Sequence, residues 1–115
     1  MKLYILVRTD IEIPVGKIMA HCVHNSVRSF KNNMYYEDMS PRFNKWWYEF
    51  NTTTIVVNGK SIEKIESILY EAMTKGIHTS FVIDDGMNEK ICAAIGPITD
   101  EEAKVLGIKK LRLYR

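Results

Sequence analysis

The chain has few of the residues that mark specialised protein classes. It contains two cysteines in 115 residues, Cys22 and Cys92, and they lack the short spacing of metal ribbons or redox pairs. This cysteine usage predicts a reducing compartment, the cytoplasm. No apolar run approaches the roughly 20 residues of a membrane span, and Arg8 and Asp10 interrupt the apolar start before it forms a signal sequence. We therefore expect a soluble protein that is not exported and has no membrane partner.

An excess of charge of one sign is also absent. Sixteen Lys and Arg stand against 14 Asp and Glu, a formal net charge of +2. Any contact with nucleic acid must therefore come from a local patch and not from the overall charge. The length of 115 residues and the 46% hydrophobic content predict one domain, residues 1–115, with its own core.

The most distinctive local pattern is a row of cationic and imidazole side chains at helical spacing. Steps of three and four residues keep its members within a sector of roughly 80° on a helix. The row consists of Lys17, His21, His24, Arg28 and Lys31. On the opposite side fall Met19, Cys22, Val23, Ser26 and Phe30. The pattern predicts a helix that buries the second face and presents the first to an anionic substrate.

Strand-like and helix-like segments alternate along the whole chain. Helix starts are indicated by Ser40-Pro41, by Ser61 and by the capping box Thr99 to Glu102, and Gly76 and Gly107 indicate helix ends. The expected strands are 3–8, 52–57 (followed by a turn at Asn58-Gly59), 79–83 and 91–95; the expected helices are 15–31, 41–50, 61–75 and 100–106; 108–114 is a last strand or an extended tail. This order predicts an α/β fold with three layers, α/β/α, around a mixed, mostly parallel sheet of four to five strands.

An aromatic segment follows the first helix. Helical spacing places Phe43, Trp47 and Phe50 on one side, where they are expected to pack on the sheet, and leaves Trp46 exposed. An exposed indole beside cations suits stacking on an unpaired base. Core packing is the simpler interpretation for the other aromatic residues.

Two polar turns follow strands. Gly16-Lys17 comes after the first strand, and Asp84 to Asn88 after the third. Ligands of open α/β sheets usually bind at the carboxyl ends of parallel strands. If these two strands are parallel neighbours, Lys17 and Asp84 meet at one edge.

These blocks, in this order, resemble the type 2 peptidyl-tRNA hydrolases, the archaeal and eukaryotic-type enzymes that cleave the ester between a peptide and its tRNA. The resemblance covers nearly the whole chain. Its blocks are Val7-Arg8-Thr9-Asp10, Gly16-Lys17-Ile18 with Ala20, Cys22 and His24, Trp46 or Trp47, Thr54 to Val57, Ile83 to Gly86, Ala94 to Pro97 and Leu111 to Leu113.

The chain departs from the family pattern within these blocks. His21 stands where the family usually has glutamine, and one of two lysines is replaced near Pro14-Val15. In the second turn, Asp85 replaces alanine, and Met87-Asn88 replaces a basic residue and a threonine. The resemblance implies hydrolysis of peptidyl-tRNA, tRNA as partner, no cofactor, and pairing as a homodimer.

Hydrolysis of such an ester needs an activated water, stabilisation of an oxyanion and a grip on phosphate or ribose. Lys17 is the expected cation. Asp84 is expected to orient or deprotonate the water, or to hold Lys17. His21 either replaces the family's amide or acts as a base, and Asn88 can polarise a carbonyl. The expected catalytic residues are Lys17, His21, His24, Asp84 and Asn88; the expected substrate-binding residues are Gly16, Arg28, Lys31, Trp46, Asp85 and Gly86.

Other interpretations remain open from sequence. The cations form a solvated helix face, His24 packs beneath the helix, or Asp84 to Gly86 is only a turn. A metal site of His21, Cys22 and His24 is disfavoured because Cys22 points away from the histidines. Asp85 would repel phosphate unless Lys17 or Arg28 neutralises it. The alternatives to hydrolysis are a weakened or inactive family member that binds tRNA or a protein, and an enzyme acting on another small ester or amide with His21 as base.

Overall fold

A computed structural model of the chain describes residues 1–35 and 40–115. The elements follow the order expected from the sequence. They are β1 (Lys2–Arg8), α1 (Val15–Tyr35), α2 (Ser40–Tyr48), β2 (Thr54–Lys60), α3 (Ile62–Thr74), β3 (Thr79–Asp84), β4 (Glu89–Ile98), α4 (Asp100–Val105) and a 3-10 helix (Ile108–Lys110). Among the described residues, no helix is long and apolar enough to span a membrane.

The four strands form one mixed sheet in the order β2-β1-β4-β3. β1 is parallel to β2, whereas β4 is antiparallel to both β1 and β3. Three strands therefore share a direction, but only one neighbouring pair is parallel. The mixed four-stranded sheet confirms the predicted class, and it is parallel in fewer pairings than expected because β4 turns back from β3 and lies between β3 and β1.

Helices cover both faces of the sheet, as predicted. Successive residues of β1 are buried on alternate sides, the period of two that a strand between two layers requires. Leu3, Ile5 and Val7 pack with residues of α1 and α2, whereas Tyr4 and Leu6 pack with those of α3 and α4. The sheet thus lies between two hydrophobic cores.

The helix boundary signals at Ser61, Thr99 and Gly107 are confirmed, whereas α2 begins at Ser40, the residue expected to be its N-cap. Ser61 accepts a hydrogen bond from the backbone N–H of Lys64 at 3.2 Å. Thr99 and Glu102 form the reciprocal capping box, which satisfies free N–H groups at the start of α4. Gly107 adopts a left-handed conformation with φ of 81° after that helix, which a residue without Cβ adopts at little cost.

Two segments at one edge of the sheet differ from expectation. β2 continues through Asn58-Gly59 to Lys60, so the turn expected there is wrong. The segment 108–114 is not a regular strand: it begins as a 3-10 helix and makes one antiparallel bridge, between Leu113 and Val57. The backbone N–H of Asn58 donates to the backbone carbonyl of Arg112 at 2.8 Å. The segment 108–114 therefore covers part of the outer edge of β2.

The orientation of α1 differs most from the sequence expectation. Met19, Val23 and Phe30 are exposed, and the helix instead buries Ile18, His21, Asn25 and Ser29. The prediction that Met19, Val23 and Phe30 lie in the core is therefore wrong, while Cys22 and Ser26 are half-buried. Polar residues can face inward because β3 and β4 offer them hydrogen-bond partners: the Asn25 side chain donates to Cys92 Sγ on β4 and accepts from Ser80 Oγ on β3.

The tryptophan of α2 that is exposed is also not the one that the sequence predicts. Trp46 is buried, with its Nε1 donating to the carbonyl of Thr53 at 2.8 Å, whereas Trp47 and Phe50 are exposed. The prediction was right for Phe43, which is buried, and wrong for the other three aromatics. α2 packs against α1 as well as the sheet, and Phe43 lies edge-on against Phe30 of α1.

Candidate active site

The site begins with one ion pair at the carboxyl ends of β1 and β3. Lys17 lies in the first turn of α1, after β1, and Asp84 is the last residue of β3. The Lys17 Nζ donates to the Asp84 Oδ2 at 3.0 Å. β1 and β3 are parallel but not neighbours, so α1, which packs over the intervening β4, carries Lys17 toward the carboxylate.

The Asp84 carboxylate is surrounded by hydrogen-bond donors. His21 Nε2 lies 2.9 Å from Oδ1, and the backbone N–H of Met87 donates to Oδ2 at 2.8 Å. The contact with His21, followed by those with Met87 and Lys17, holds the pKa of Asp84 far below its usual range. Asp84 is therefore ionised at any physiological pH, and a carboxylate with so low a pKa is a poor general base.

The turn 85–88 is shaped around this carboxylate. A Cβ at Gly86 would lie 3.3 Å from Lys17 Nζ and 3.4 Å from Asp84 Oδ2, so any larger residue would press on the ion pair. The backbone N–H of Asn88 donates to the Asp84 carbonyl at 2.6 Å, and Asn88 has a left-handed φ of 53° that asparagine tolerates well. The side chains of Asp85 and Asn88 are exposed at the rim.

The two histidines of the site differ in accessibility. His21 is buried, and its Nδ1 has no hydrogen-bond partner in the part of the chain that the structure describes. His24 is exposed and lies edge-on against His21, with ring centroids 5.7 Å apart. The interpretation that His24 packs beneath the helix is wrong. It is the imidazole of this pair that solvent or a substrate can reach.

The side chains of the cationic row on α1 therefore differ in burial. Lys17 is half-buried in its ion pair and His21 is buried, whereas His24, Arg28 and Lys31 are exposed along the helix. Gly16 precedes Lys17 at the exposed start of α1, and a Cβ there would meet nothing within 4 Å. Asp85 forms no ion pair with Lys17 or Arg28 in the described structure, because Lys17 pairs with Asp84 instead.

Trp46 does not line the site as an exposed stacking platform, because it is buried under α2. Trp47 is the exposed indole and packs edge-on against Phe30, with ring centroids 5.5 Å apart. Beside them lies an open cleft of about 370 Å³, lined by Ser26, Val27, Phe30, Trp46, Trp47, Thr52 and Thr54. The sequence pattern predicted Trp46 as the exposed indole, and the structure exposes Trp47 instead.

Sequence reasoning assigned no role to Arg8, which joins the two loops of the site. Its Nε and Nη2 donate to both oxygens of Asp10, at 2.9 and 3.0 Å, and its Nη1 donates to the Lys90 carbonyl at 3.1 Å. The side chain is 4% exposed. It fixes the connection before α1 relative to the start of β4, directly after the turn that carries Asn88. The sequence does contain a sign of this role: Arg8 ends an apolar strand and stands two residues before Asp10, a spacing at which the two side chains can form an ion pair.

Metal ligands do not cluster in the described ranges, 1–35 and 40–115: no group of three or more His, Cys, Asp or Glu residues there could hold an ion. Cys22 and the buried His21 both lie on the inward side of α1, and His24 points outward. The chemistry available at this site comes from an ammonium group, an ionised carboxylate, imidazoles and an amide.

Comparisons with known proteins identify what the chain resembles. The family model described as peptidyl-tRNA hydrolase PTH2 matches residues 1–114. The chain is 31% identical to the peptidyl-tRNA hydrolase of Metallosphaera sedula, over 96% of this chain and 99% of the relative. The peptidyl-tRNA hydrolase of Methanothermobacter thermautotrophicus shows the same identity and coverage. That of Nanoarchaeum equitans is 30% identical over 96% of each chain.

Proposed function

The chain belongs to the peptidyl-tRNA hydrolase PTH2 family, and on that basis we propose that it hydrolyses the ester bond between a peptide, or an N-blocked amino acid, and tRNA, releasing free tRNA. The observation that carries the proposal is the cluster of Lys17, His21 and Asp84 at one edge of the sheet. Its groups can supply charge stabilisation and an oriented water without a metal ion or other cofactor.

Lys17 stabilises the developing oxyanion. An ammonium group has three N–H donors, and the contact with Asp84 uses one of them. The other donors are available to the ester carbonyl, since the Lys17 side chain is 34% exposed. A fixed cation at the position where negative charge develops lowers the barrier of ester hydrolysis. Asn88, at the rim of the same turn, donates its amide to that carbonyl.

Asp84 positions the ammonium group of Lys17. Its low pKa makes proton removal by this carboxylate inefficient, so its contribution is the fixed geometry of Lys17. His21 occupies Oδ1 and keeps the carboxylate in place. The exposed imidazole of His24 accepts the proton of the attacking water, since the only unpaired nitrogen of His21 among the described residues is buried.

The substrate's phosphates bind along α1. Arg28 and Lys31 are exposed beyond His24, and Gly16 lies at the helix start, where unpaired backbone N–H groups favour anions. Gly86 has no side chain, so substrate can approach the ion pair of Lys17 and Asp84. Asp85 adds a carboxylate at the same rim and opposes phosphate binding. Trp47, in place of Trp46, is the indole that is available for stacking on an unpaired base.

Assembly and compartment complete the proposal. We infer a homodimer that covers an exposed apolar stripe on α1, formed by Val15, Met19, Val23 and Val27, because such faces mark interaction surfaces. Sedimentation equilibrium of Val23→Glu tests this, with Val105→Glu on α4 as an equally exposed apolar control. The cytoplasm is proposed as the compartment, because the chain has only two cysteines and they lack the spacing of a disulfide framework.

The decisive assay measures release of N-blocked aminoacyl groups from tRNA in the presence of a chelator. Wild-type protein is expected to turn over, and Lys17→Ala to lose most of the rate. No release above the Lys17→Ala level would overturn the hydrolase proposal. Salt-sensitive tRNA binding without turnover would instead identify the alternative, a binding module.

A further inference from the structure

A buried amide connects α1 to the two strands beneath it. Asn25 is fully buried, one helical turn after His21. Its Nδ2 donates to the Cys92 Sγ on β4 at 3.2 Å, and its Oδ1 accepts from the Ser80 Oγ on β3 at 3.4 Å. The same Nδ2 donates to the His21 carbonyl at 2.9 Å. Asn25 therefore contacts both strands and the helical turn that carries His21.

The contact with β3 lies on the strand that also carries the carboxylate of the site. Ser80 and Asp84 are four residues apart on β3, and both are buried. His21 and Asn25 are likewise four residues apart on α1. His21 Nε2 lies 2.9 Å from the Asp84 Oδ1, and Asn25 accepts from Ser80. Hydrogen bonds thus attach α1 to β3 at two points, one within the site and one outside it.

The second attachment fixes what the first leaves free. Lys17 and His21 both contact the Asp84 carboxylate, so together they hold α1 at a single point, about which the helix can rotate or tilt. Apolar packing of Ile18 keeps α1 close to the sheet, but it is non-directional. Hydrogen bonds depend steeply on length and angle. The contacts of Asn25 therefore set the rotation of α1 and its depth against the sheet.

We propose that Asn25 is a positioning residue for hydrolysis: through its contacts with β3 and β4 it holds α1 in the orientation that the contacts at Asp84 require. Because Asn25 is buried, it does not touch substrate and acts through His21. The effect on the rate rests on the proposed function. The effect on the contact between His21 and Asp84 does not.

Loss of these contacts should lower kcat and leave KM nearly unchanged. The Lys17 ammonium acts on charge that develops in the transition state, and a displacement of about 1 Å in such a group can cost a hundredfold in rate. Arg28 and Lys31, the proposed phosphate contacts, are long exposed side chains that reach phosphate from a range of helix positions. An interaction made only in the transition state lowers kcat and kcat/KM equally.

The experiment compares wild type with Asn25→Ser and Ser80→Ala. Asn25→Ser keeps a hydroxyl that donates to the His21 carbonyl within the helix, but it lacks the amide that contacts β3 and β4. Ser80→Ala removes the donor to the Asn25 Oδ1 and leaves α1 unchanged; it is also the test if Asn25→Ser does not fold. Ile68→Val and Ile68→Ala, on α3 in the core of the other sheet face, are controls for lost stability.

Steady-state hydrolysis, denaturant unfolding and the imidazole signals are measured on each protein. We expect Asn25→Ser to lower kcat about tenfold or more, and Ser80→Ala to lower it less. Adding Ser80→Ala to Asn25→Ser should change little, because both remove the same contact. In proton–nitrogen correlation spectra the His21 Nε2–H resonance, identified by its absence in His21→Gln, should shift or broaden in Asn25→Ser and keep its position in both Ile68 variants.

Three results would overturn the inference. The kcat of Asn25→Ser could equal that of an Ile68 variant of the same stability, which would leave only a general loss of stability. KM could rise while kcat stays constant, or kcat could fall while the His21 resonance is unchanged, and either excludes action through His21. If wild type shows no hydrolysis, the proposed function fails, and the His21 resonance still decides whether Asn25 maintains the contact with Asp84.

Discussion

Lys17 Nζ and Asp84 Oδ2 lie 3.0 Å apart although 67 positions separate the two residues in the chain. The contact joins the first turn of α1 to the last residue of β3 across an intervening strand. Because His21 and the Met87 backbone contact the same carboxylate, the position of the ammonium group is fixed before substrate arrives. Preorganised charge of this kind is the largest single contribution in many enzymes.

Removing the ammonium should abolish most activity with little loss of fold. We expect Lys17→Met to lower kcat/KM by about a hundredfold to a thousandfold, the range for losing one oxyanion donor. Asp84→Asn should act in the same direction because it releases Lys17 from its fixed position. Lys104→Met, at an exposed lysine of α4, is the matched control for charge. Equal rates for Lys17→Met and Lys104→Met would contradict the assignment.

The two histidines should separate in their effects on the chemical step. Asp84 stays ionised because its pKa is far below the usual range, so in the proposed mechanism the proton of the attacking water passes to an imidazole. We expect His24→Gln to lower the single-turnover rate by about a hundredfold, the contribution of a general base. His21→Gln, which places a neutral amide beside Asp84, should keep most of that rate. A larger loss in His21→Gln than in His24→Gln would make His21 the base.

The exposed rim carboxylate of Asp85 should weaken substrate binding. Asp85→Ala is expected to raise kcat/KM a few-fold at low salt, mainly through KM, because a like charge beside the phosphate path is removed. The gain should shrink as ionic strength rises, since exposed charges are screened. Glu101→Ala on α4, also an exposed carboxylate, is the control. An equal gain in the control would show an effect of net charge alone.

The ion pair between α2 and α4 should make stability depend on acid pH. Arg42 donates to both oxygens of Glu102, and this contact lowers the pKa of that carboxyl below its ordinary value of 4.5. The stabilisation is therefore fully present above about pH 4.5 and is lost as pH falls through the lowered folded value. Glu102→Gln should reduce the free energy of unfolding by about 1 kcal/mol near neutral pH.

The difference between wild type and Glu102→Gln isolates the contribution of the Glu102 carboxylate, because other carboxylates with lowered pKa values, such as Asp10 and Asp100, are present in both proteins. Denaturant titrations at several pH values should show the difference shrinking below pH 4.5. A difference that is constant down to strongly acid pH would show that the carboxylate charge contributes nothing.

The features that sequence predicted correctly are those fixed by neighbouring residues. The Ser61 cap, the capping box of Thr99 and Glu102, and the strand expected at 3–8 each depend on residues within a few positions. The class of fold follows from the order of such segments. The closeness of Lys17 and Asp84 was predicted on the condition that their strands are parallel neighbours. It holds for parallel strands with β4 between them.

The features that sequence did not predict depend on contacts between distant elements. The interpretation of α1 assumed that its apolar face is buried, yet the helix buries Asn25 and Ser29 and exposes Met19 and Val23. Periodicity shows which residues share a face of the helix. It does not show which face is buried when β3 and β4 provide hydrogen-bond partners to polar side chains. The same limit applies to Trp46, whose burial depends on a backbone carbonyl at Thr53.

The position of β4 between β1 and β3 has a consequence for how the protein becomes active during synthesis. The sheet is not contiguous until β4, Glu89–Ile98, has inserted between β1 and β3. Lys17 is synthesised 67 residues before Asp84. A nascent chain therefore has no assembled cleft until β4 is translated, and a copy that stops before Asp84 carries the ammonium without its carboxylate.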